Sequence, residues 1–380
     1  MSKIPTKVKA AVLTEAFKPL EIKDVQVPEL EDGGVLARVL LAGICGTDVH
    51  QARNELSIPT NTPVLQGHET LGEIVAIGGG RKLDIGCREV KPGDRIMWAH
   101  PFCGECYYCR VARKPYMCNS FGTGYGFVHP DNLRGGFAEY VMVTPKTEIV
   151  LVPETVTDEE AIGVGCAFRT VVSGFERLQR HSPIGTGDVV VVQGCGPIGL
   201  YSTLLAYYSG ASRVVTIGAP AERLELAREW GASVTLNILE TTHEERVQAV
   251  KDLTEGRGAE FIIEAAGAKS AFNEGFDFMC KDATYLVMGQ TSPNPVEFIP
   301  NKLQQKQACV IGSGSADAKH FYKALKFIEA HRHEIDFSKM LSATYELEDI
   351  DTALENMRLG KDIKGAIDNR KRTCDCGCED

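Results

Sequence analysis

The chain has 380 residues, too many for one ordinary hydrophobic core and suitable for two domains of typical size. Its hydrophobic content of 43% and charged content of 24% are typical of a soluble globular protein. The formal net charge of −10 argues against a nucleic-acid-binding protein, because phosphate contacts need clustered Lys and Arg and no domain-sized basic patch is present.

The first part of the chain, up to about residue 160, is rich in short apolar segments, glycines and turns. This pattern predicts an irregular β domain whose loops can carry ligands. The N-terminus has no continuous apolar stretch behind its lysines, so a secretory signal is not expected and the expected location is the cytoplasm. The predicted strands lie in KAAVLTEA, GVLARVLLAGI, GEIVAIGGG and FAEYVMV.

From about residue 185 the pattern changes to alternating strands and helices, which predicts a parallel sheet with helices on both faces. The uncharged run over residues 189–212 is not a membrane helix, because Gln193 and GCGPIG interrupt it. We interpret it as a buried strand, a glycine turn and a buried helix. The later predicted elements are the strands RVVTIGA, AEFIIEAAG and ATYLVMG and the helices AERLELAREWGA, HEERVQAVKDLT and AFNEGFDFM.

After about residue 312 the chain offers two amphipathic helices, KHFYKALKFIEAH and IDTALENMRLG, with a strand-like YELEDI between them. This part is expected to pack back on the first domain. The tail RKRTCDCGCED is polar and is predicted to be mobile, although regulatory metal binding by its thiols is an alternative. The predicted division is residues 1–165, 166–312, 313–370 and a tail at 371–380.

Thirteen cysteines are present, an odd number that leaves at least one thiol without an intramolecular partner. Disulfide frameworks are typical of short secreted chains, which this chain does not resemble. Four cysteines lie close together in CGECYYCRVARKPYMC, at positions Cys103, Cys106, Cys109 and Cys118. Thiolates at this spacing can surround a tetrahedral Zn²⁺, and a closed four-sulfur site is structural; a redox cluster is the alternative.

A second set of metal-ligating residue types is spread over three motifs, each weak when taken alone. GICGTDVH holds Cys45, Thr47 and His50; GHETLG holds His68 and Glu69; GVGCAFRT holds Cys166. These motifs occur in one order with the four-cysteine run, GGFAEY and GCGPIG. In that combination the chain resembles the zinc-dependent medium-chain alcohol dehydrogenase family, part of the medium-chain dehydrogenase/reductase superfamily, over nearly all of residues 8–368.

The resemblance implies an α/β fold class, with an irregular β-rich GroES-like catalytic domain and a Rossmann domain built on a doubly wound parallel sheet. It implies that Cys45, His68 and Cys166 bind a catalytic zinc and that Glu69 can exchange with water or substrate as a ligand. Two thiolates and an imidazole leave one position of the metal open. Zinc lowers the pKa of bound water to about 7, and the same effect would favour an alkoxide that releases hydride.

The resemblance also assigns a proton relay. Thr47 matches the family hydroxyl that takes the alcohol proton, and His50 matches the imidazole that passes the proton toward solvent. Asp48 either orients a neighbour or is purely structural.

The nucleotide site is predicted at VVVVQGCGPIGL, where Gly194, Gly196 and Gly199 follow an apolar strand and precede a helix. With Pro197 and Ile198 they fit the dinucleotide fingerprint, in which glycines let the pyrophosphate approach a helix N-terminus. A tight glycine turn in some other strand–helix unit is the alternative.

The choice between NAD and NADP depends on the end of the next strand. In NAD-preferring relatives an acid there should bind the ribose hydroxyls, but this strand ends in Gly218. Loss of the acid removes repulsion against a 2′-phosphate, and Arg223 could reach toward one. Glu222 would oppose a phosphate, and Arg223 is equally explained as a solvated residue at a helix start. NAD is favoured, and NADP is the alternative.

Two more cofactor contacts follow from the resemblance alone. Thr170 should lie against the nicotinamide, and Lys364 in GKDIKG should reach the pyrophosphate. Gly46 stands where some relatives carry an arginine for that pyrophosphate. Residues 79–91 are longer than the glycine turn usual at that point, so an extended surface loop is expected.

The predicted activity is reversible oxidation of a primary or secondary alcohol by NAD(P), with two zinc ions per chain. Trp98, Phe121 and Tyr125 hint at an apolar or cyclic alcohol. The alternatives are a non-catalytic sensor that binds zinc and dinucleotide, and a nicotinoprotein with tightly held NAD; a zinc-free reductase would lack the ligands present here. The resemblance implies a homodimer or homotetramer with no nucleic-acid or membrane partner.

Overall fold

A computed structural model describes residues 4–56, 60–120, 124–289 and 295–372. The chain divides into two compact units. Unit 1 comprises the described residues of Met1–Arg169 and of Ala316–Asp380, and unit 2 is Thr170–Ser315. The predicted division points, after residues 165 and 312, fall a few residues earlier. All but two residues of the predicted tail lie outside the described part of the chain.

The strands of unit 1 come from the two ends of the chain, and those of unit 2 from the part between them. In chain order they are β1 (Lys7–Leu13), β2 (Glu21–Gln26), β3 (Val35–Gly43), β4 (Val64–Leu65), β5 (Glu69–Ile77), β6 (Arg95–Trp98), β7 (Tyr140–Val143), β8 (Ile149–Leu151), β9 (Val189–Gln193), β10 (Arg213–Gly218), β11 (Val234–Asn237), β12 (Ala259–Glu264), β13 (Met279–Val287), β14 (Cys309–Gly312), β15 (Ala343–Tyr345) and β16 (Gly365–Asp368).

Among the described residues, the α-helices of unit 1 are short apart from one of 14 residues, whereas most helices of unit 2 follow a strand of its sheet. In chain order they are α1 (Gly46–Ala52), α2 (Tyr107–Arg110), α3 (Asp158–Ala161), α4 (Ala167–His181), α5 (Pro197–Tyr208), α6 (Ala221–Glu229), α7 (His243–Asp252), α8 (Lys269–Phe278), α9 (Pro300–Lys306), α10 (Ala318–His331) and α11 (Ile350–Arg358).

Unit 1 is built around β3, whose residues are buried along nearly its whole length. Within the described residues β3 pairs antiparallel with β5, β7 and β16, in a sheet of order β15-β16-β3-β5-β6-β8. A smaller sheet has the order β2-β1-β4. The β3–β5 register sets Gly43 opposite Glu69, so the residues just after β3 and just before β5 come together.

Unit 2 confirms the predicted parallel sheet with its doubly wound connectivity. The described strands run in the order β11-β10-β9-β12-β13-β14, and each neighbouring pair is parallel. The chain order therefore reverses between β9 and β12. In an open parallel sheet, a ligand binds beyond the carboxyl ends of the strands at such a reversal.

Two local predictions had different outcomes. Residues 189–212 form β9 and α5, as the interrupted apolar run indicated, and no described helix is long and apolar enough to cross a membrane. The strand predicted at YELEDI is wrong beyond Tyr345. Leu347–Asp349 instead forms a 3₁₀ turn, with Leu347 buried in the core at the entry to α11.

Residues 79–91 contain neither helix nor strand, but side-chain hydrogen bonds fix them to unit 1. The Arg81 guanidinium donates to main-chain carbonyls of neighbouring loops. Asp84 is buried, and its Oδ2 accepts from Arg88 Nη2 at 2.5 Å and from the Leu151 backbone N–H at 3.0 Å. Burial opposes ionisation, yet these donors hold the pKa of the Asp84 carboxyl below its ordinary value. Asp84 therefore pins the loop to β8.

Replacing this carboxylate by an amide should destabilise unit 1. We expect Asp84→Asn to lower the free energy of unfolding at pH 7 by about 1–3 kcal/mol, because the charged hydrogen bonds to Arg88 are lost. Unfolding in urea can be followed through Trp98 in a Trp230→Phe background, since the chain has two tryptophans. The native pKa is depressed, so the difference should shrink as pH falls through the unfolded-state value of about 3.9.

Asp24→Asn is the matched control, because Asp24 is exposed on β2. It should change the free energy of unfolding by less than about 0.5 kcal/mol. Equal effects of the two substitutions at every pH would show that Asp84 does not anchor the loop.

Candidate functional site

The four clustered cysteines lie at distances that suit one shared ion. The Sγ atoms of Cys103 and Cys118 are 3.5 Å apart, those of Cys106 and Cys109 are 3.5 Å apart, and those of Cys103 and Cys109 are 3.9 Å apart. A disulfide needs about 2.05 Å. Four sulfurs at about 2.3 Å from a tetrahedral zinc would be about 3.8 Å from one another. The arrangement therefore fits a closed zinc site.

Backbone N–H groups aimed at these sulfurs favour thiolates. Cys103 Sγ accepts from Glu105 N at 3.4 Å and from Cys106 N at 3.3 Å, and these bonds lower the pKa of Cys103. N–H groups of Asn119 and Cys109 lower the pKa of Cys106 to about 6, whereas burial raises the pKa of Cys109 to about 12. Metal ligation requires the thiolate form. The donor set and its surroundings thus agree with the predicted structural zinc.

A second cluster brings together the four residues that were expected to hold the catalytic zinc. One ligand atom from each lies within 4.8 Å of all the others, and the four residues are Cys45, His68, Glu69 and Cys166. Cys45 caps α1 just after β3, His68 immediately precedes β5, and Cys166 follows the 3₁₀ turn Ile162–Gly165. The β3–β5 register and this turn therefore assemble the cluster.

Asp48 holds His68 in the orientation that a metal ligand needs. Asp48 Oδ1 lies 3.2 Å from His68 Nδ1, and Asp48 Oδ2 accepts from the Cys45 backbone N–H at 2.9 Å. Burial disfavours the imidazolium, but the Asp48 carboxylate raises the pKa of His68 well above its ordinary value. Donation from Nδ1 leaves Nε2 as the ligand atom, 3.9 Å from Glu69 Oε1. The geometry favours the orienting role for Asp48.

Glu69 and Lys364 form a buried ion pair beside the cluster. Lys364 Nζ lies 2.7 Å from Glu69 Oε2 and donates to the Ile44 carbonyl at 3.2 Å. Burial raises the pKa of Glu69 although Lys364 acts in the opposite direction. Burial also disfavours the ammonium, but Glu69 raises the pKa of Lys364. Glu69 Oε1 is buried and has no hydrogen-bond partner among the described residues, as expected of an oxygen available to a metal.

The placement of Lys364 differs from the expectation drawn from the family resemblance. Lys364 was expected to reach a pyrophosphate, but its ammonium is buried at 1% exposure and is engaged by Glu69 and Ile44. A paired ammonium enclosed in this way is not presented to a phosphate in this structure. We therefore place Lys364 with the metal cluster.

The two cysteines of the cluster differ in acidity. A hydrogen bond with Cys166, followed by burial, raises the pKa of Cys45 to about 11. The same hydrogen bond lowers the pKa of Cys166. Two thiol groups, an imidazole and an unpartnered carboxylate oxygen form a donor set that suits Zn²⁺ with one exchangeable position.

The two predicted relay residues are separate in the structure. Thr47 Oγ1 lies 3.6 Å from Cys45 Sγ, next to the cluster, whereas the His50 side chain is 41% exposed. His50 Nδ1 lies 3.0 Å from Glu55 Oε2, a contact that no sequence motif indicated. Hydrogen bonds with His50 and Arg53 lower the pKa of Glu55. Among the described residues no hydrogen bond joins Thr47 to His50, so a relay between them needs a further hydroxyl or a water.

The aromatic residues proposed to form substrate walls belong instead to the core. Trp98 and Tyr125 are 5% and 2% exposed and their ring centroids are 5.8 Å apart. The Tyr125 hydroxyl hydrogen-bonds to Thr147. They therefore give no information about substrate, and Phe121 lies outside the described residues.

Two other rings lie nearer the metal cluster. The Phe127 ring centroid is 6.1 Å from that of His68, and the His100 ring is 6.4 Å from Phe127. Burial, and then the positive charge of Arg169, holds the pKa of His100 well below its ordinary value, so this imidazole is neutral. Neither residue forms part of a recognisable motif.

The predicted dinucleotide motif forms a tight turn between β9 and α5. A Cβ on Gly194, whose φ is 105°, would lie 2.8 Å from the Ala265 carbonyl oxygen, and one on Gly199 would lie 1.9 Å from that of Gly194. A Cβ on Gly196, the N-cap of α5, would meet no atom within 4 Å. Gly194 and Gly199 therefore close the turn, while Gly196 leaves space at the helix N-terminus.

This turn borders a cavity of about 410 Å³ in unit 2, at the carboxyl ends of the strands. Four of the residues predicted to bind the dinucleotide line the cavity, namely Gly194, Gly196, Gly218 and Arg223, whereas Pro197 and Ile198 form the first turn of α5. Thr170 lies on α4 and is buried. The lining residues that the sequence did not indicate include Cys195, Arg246 and Glu274.

Cys195 explains why β10 does not end in an acid. A Cβ on Gly218 would lie 2.4 Å from Cys195 Sγ, which also lies 3.2 Å from the Ala219 carbonyl oxygen. The thiol therefore occupies the room that an acidic side chain would need.

Comparison with known proteins agrees with this geometry. The family model described as "Alcohol dehydrogenase GroES-like domain" matches residues 31–154, and the one described as "Zinc-binding dehydrogenase" matches residues 197–330. The 5-exo-hydroxycamphor dehydrogenase of Pseudomonas putida is 32% identical, covering 95% of this chain and 98% of that protein.

Solved structures show the same architecture. An alcohol dehydrogenase from Thermotoga maritima is 33% identical with a TM-score of 0.87, covering 96% of this chain and 100% of that one. A zinc-binding dehydrogenase from Sinorhizobium meliloti, bound to NADP, is 26% identical with a TM-score of 0.80, covering 96% of this chain and 100% of that one. The chain therefore belongs to the zinc-dependent alcohol dehydrogenase family of medium-chain dehydrogenases.

Proposed function

We propose that the protein catalyses the reversible oxidation of an alcohol to a ketone or aldehyde, with hydride transfer to a nicotinamide dinucleotide. The observation that carries this proposal is the buried cluster of Cys45, His68 and Cys166 with the unpartnered Glu69 Oε1 beside it. A closed structural site would not require a carboxylate such as Glu69, which is paired with Lys364 through one oxygen and has its other oxygen free of hydrogen bonds to the described residues. A sensor that only binds zinc and dinucleotide would not need this arrangement either.

The residues in and around the cluster have separate roles in metal binding, orientation and proton transfer. Cys45, His68 and Cys166 would hold the ion, and Asp48 fixes the His68 ring for that purpose. Bound zinc supplies Lewis acidity, which lowers the pKa of a coordinated hydroxyl group. The Thr47 hydroxyl, next to Cys45, would accept the proton that the alcohol gives up and would pass its own proton to a water or a further hydroxyl. The exposed His50 would take the proton from that group and release it to solvent.

The substrate that we propose is an apolar or cyclic secondary alcohol. Phe127 places an apolar ring near His68. The Pseudomonas putida relative is named for a bicyclic hydroxylated substrate, hydroxycamphor.

Zinc content tests the proposal directly. With Cys374, Cys376 and Cys378 replaced by serine, the purified protein should hold about two zinc ions per chain, since each cluster supplies a complete donor set. Cys166→Ala should hold about one and should lose alcohol oxidation. Zinc is measured by atomic emission, and activity by formation of the reduced nicotinamide.

Cys87→Ser is the control, because Cys87 is exposed and lies outside both clusters. It should retain both ions and full activity. If the parent protein held one zinc ion per chain and Cys166→Ala held the same, the proposed active site would not be a zinc site.

Removal of the Thr47 hydroxyl should slow catalysis without loss of metal. We expect Thr47→Val to lower kcat/KM about 10²-fold or more, because the positioned proton acceptor is lost. Thr47→Ser should restore most of the rate. Zinc content should stay the same in both variants, and a valine variant as active as the wild type would exclude Thr47 from proton transfer.

A further inference from the structure

The cavity in unit 2 has a basic wall that the family resemblance did not indicate. Arg246 on α7 and Arg223 on α6 both line it, together with Gly218 at the end of β10. In dinucleotide-binding sheets an acid at this strand end selects the free 2′-hydroxyl of NAD, and a nearby arginine accommodates the 2′-phosphate of NADP.

Arg246 is unusual for a surface-helix arginine because it is only 7% exposed. Its Nη1 donates to the Thr241 carbonyl at 2.6 Å, and its Nη2 lies 3.2 Å from Glu274 Oε2. Its Nε is buried and has no hydrogen-bond partner among the described residues. A guanidinium has five N–H donors, and these contacts do not use all of them. Buried donors in native proteins are normally satisfied, which points to a missing acceptor.

The end of β10, which lines the same cavity, has no side chain that could supply that acceptor. Gly218 has no side chain, and Cys195 Sγ stands where a carboxylate at 218 would begin. The Ile238 backbone N–H donates to the Gly218 carbonyl, which ties the end of β10 to the residue after β11. Ile238 also lines the cavity, between Gly218 and the segment that holds Arg246. The end of β10 therefore lacks the acid that would favour NAD.

One carboxylate in the cavity lining would repel a bound anion. Glu274 lines the cavity and pairs with Arg246, and its Oε2 is also 3.6 Å from His243 Nδ1. The described charged lining therefore consists of two arginines and one glutamate, which leaves a positive balance. Arginine binds phosphate through planar paired donors, an interaction stronger than a neutral hydrogen bond.

We propose that Arg246 and Arg223 form a binding site for the 2′-phosphate of NADP(H), so that the enzyme prefers NADP(H) to NAD(H). This inference rests on the proposed function, because it assigns the dinucleotide of the same reaction. It reverses the preference for NAD drawn from the sequence, where Arg246 gave no signal.

The test uses ligands that lack nicotinamide, so the readout does not depend on zinc or catalysis. Binding of adenosine 2′,5′-bisphosphate and of 5′-AMP to the full chain is measured by isothermal titration calorimetry. The bisphosphate should bind at least about tenfold more tightly in the wild type. Arg246→Gln should abolish most of that ratio, and Arg223→Gln should reduce it. Glu274→Gln should increase it, because a repelling charge is removed.

Arg228→Gln is the matched control, since Arg228 is exposed on the same helix as Arg223 and is not part of the described lining. It should leave the ratio unchanged. Melting temperatures separate a folding defect from a binding defect, and the opposite effect of Glu274→Gln does not depend on Arg246 variants being stable.

Three results would overturn the inference. Equal affinity of the wild type for the two ligands would refute it while leaving the dehydrogenase proposal intact. A uniform loss of both ligands in Arg246→Gln would make Arg246 structural. Failure of 5′-AMP, NAD and NADP all to bind would remove the dinucleotide, and with it the proposed function as well.

Discussion

The antiparallel pairing of β3 with β5 is the constraint on which the metal cluster depends. Its register sets Gly43 opposite Glu69, so Cys45, which follows β3, lies close to His68, which precedes β5. The approach is close enough that a Cβ on Gly43 would lie 2.6 Å from Glu69 Oε2. A slip of one residue would turn every side chain of β5 to the other face. The burial of β3 therefore also fixes the positions of the ligands.

Burying Glu69, Lys364 and Asp48 beside one another is costly, and their arrangement shows how the fold compensates. Each charge has a partner: Lys364 for Glu69 Oε2, and His68 for Asp48 Oδ1. A buried ion pair contributes little net stability, since desolvation offsets the attraction. Selection for stability alone would favour apolar residues here. The remaining unpartnered atom, Glu69 Oε1, lies on the side of His68 Nε2, which is where an ion would supply the missing charge.

The fold of unit 2 and the four-cysteine ligand set were predictable because each has a local signature. Alternating apolar runs and helix-period segments locate β9, α5, β10 and α6, and the x2 spacing of Cys103, Cys106 and Cys109 itself brings three sulfurs together. The catalytic ligands needed the family resemblance, since the chain separates Cys45 from Cys166 widely. Neither the local sequence patterns nor the family resemblance predicted the charged partners of the site residues. Nothing in GKDIKG shows that Lys364 is buried against Glu69, and Arg246 becomes a lining residue only through the position of α7.

The two metal clusters show how similar ligands acquire different roles from their surroundings. At the four-cysteine site the groups that donate to the sulfurs are backbone N–H groups, which stabilise thiolates and carry no net charge of their own. At the other site the surrounding groups are ionised side chains, Asp48 and Lys364, each already engaged with a ligand residue. Four sulfurs fill the coordination sphere of a tetrahedral ion, so that site would be closed. Glu69 places one oxygen on Lys364, and its other oxygen has no hydrogen-bond partner among the described residues, so a carboxylate ligand here would be positioned by a charged side chain and not by backbone donors.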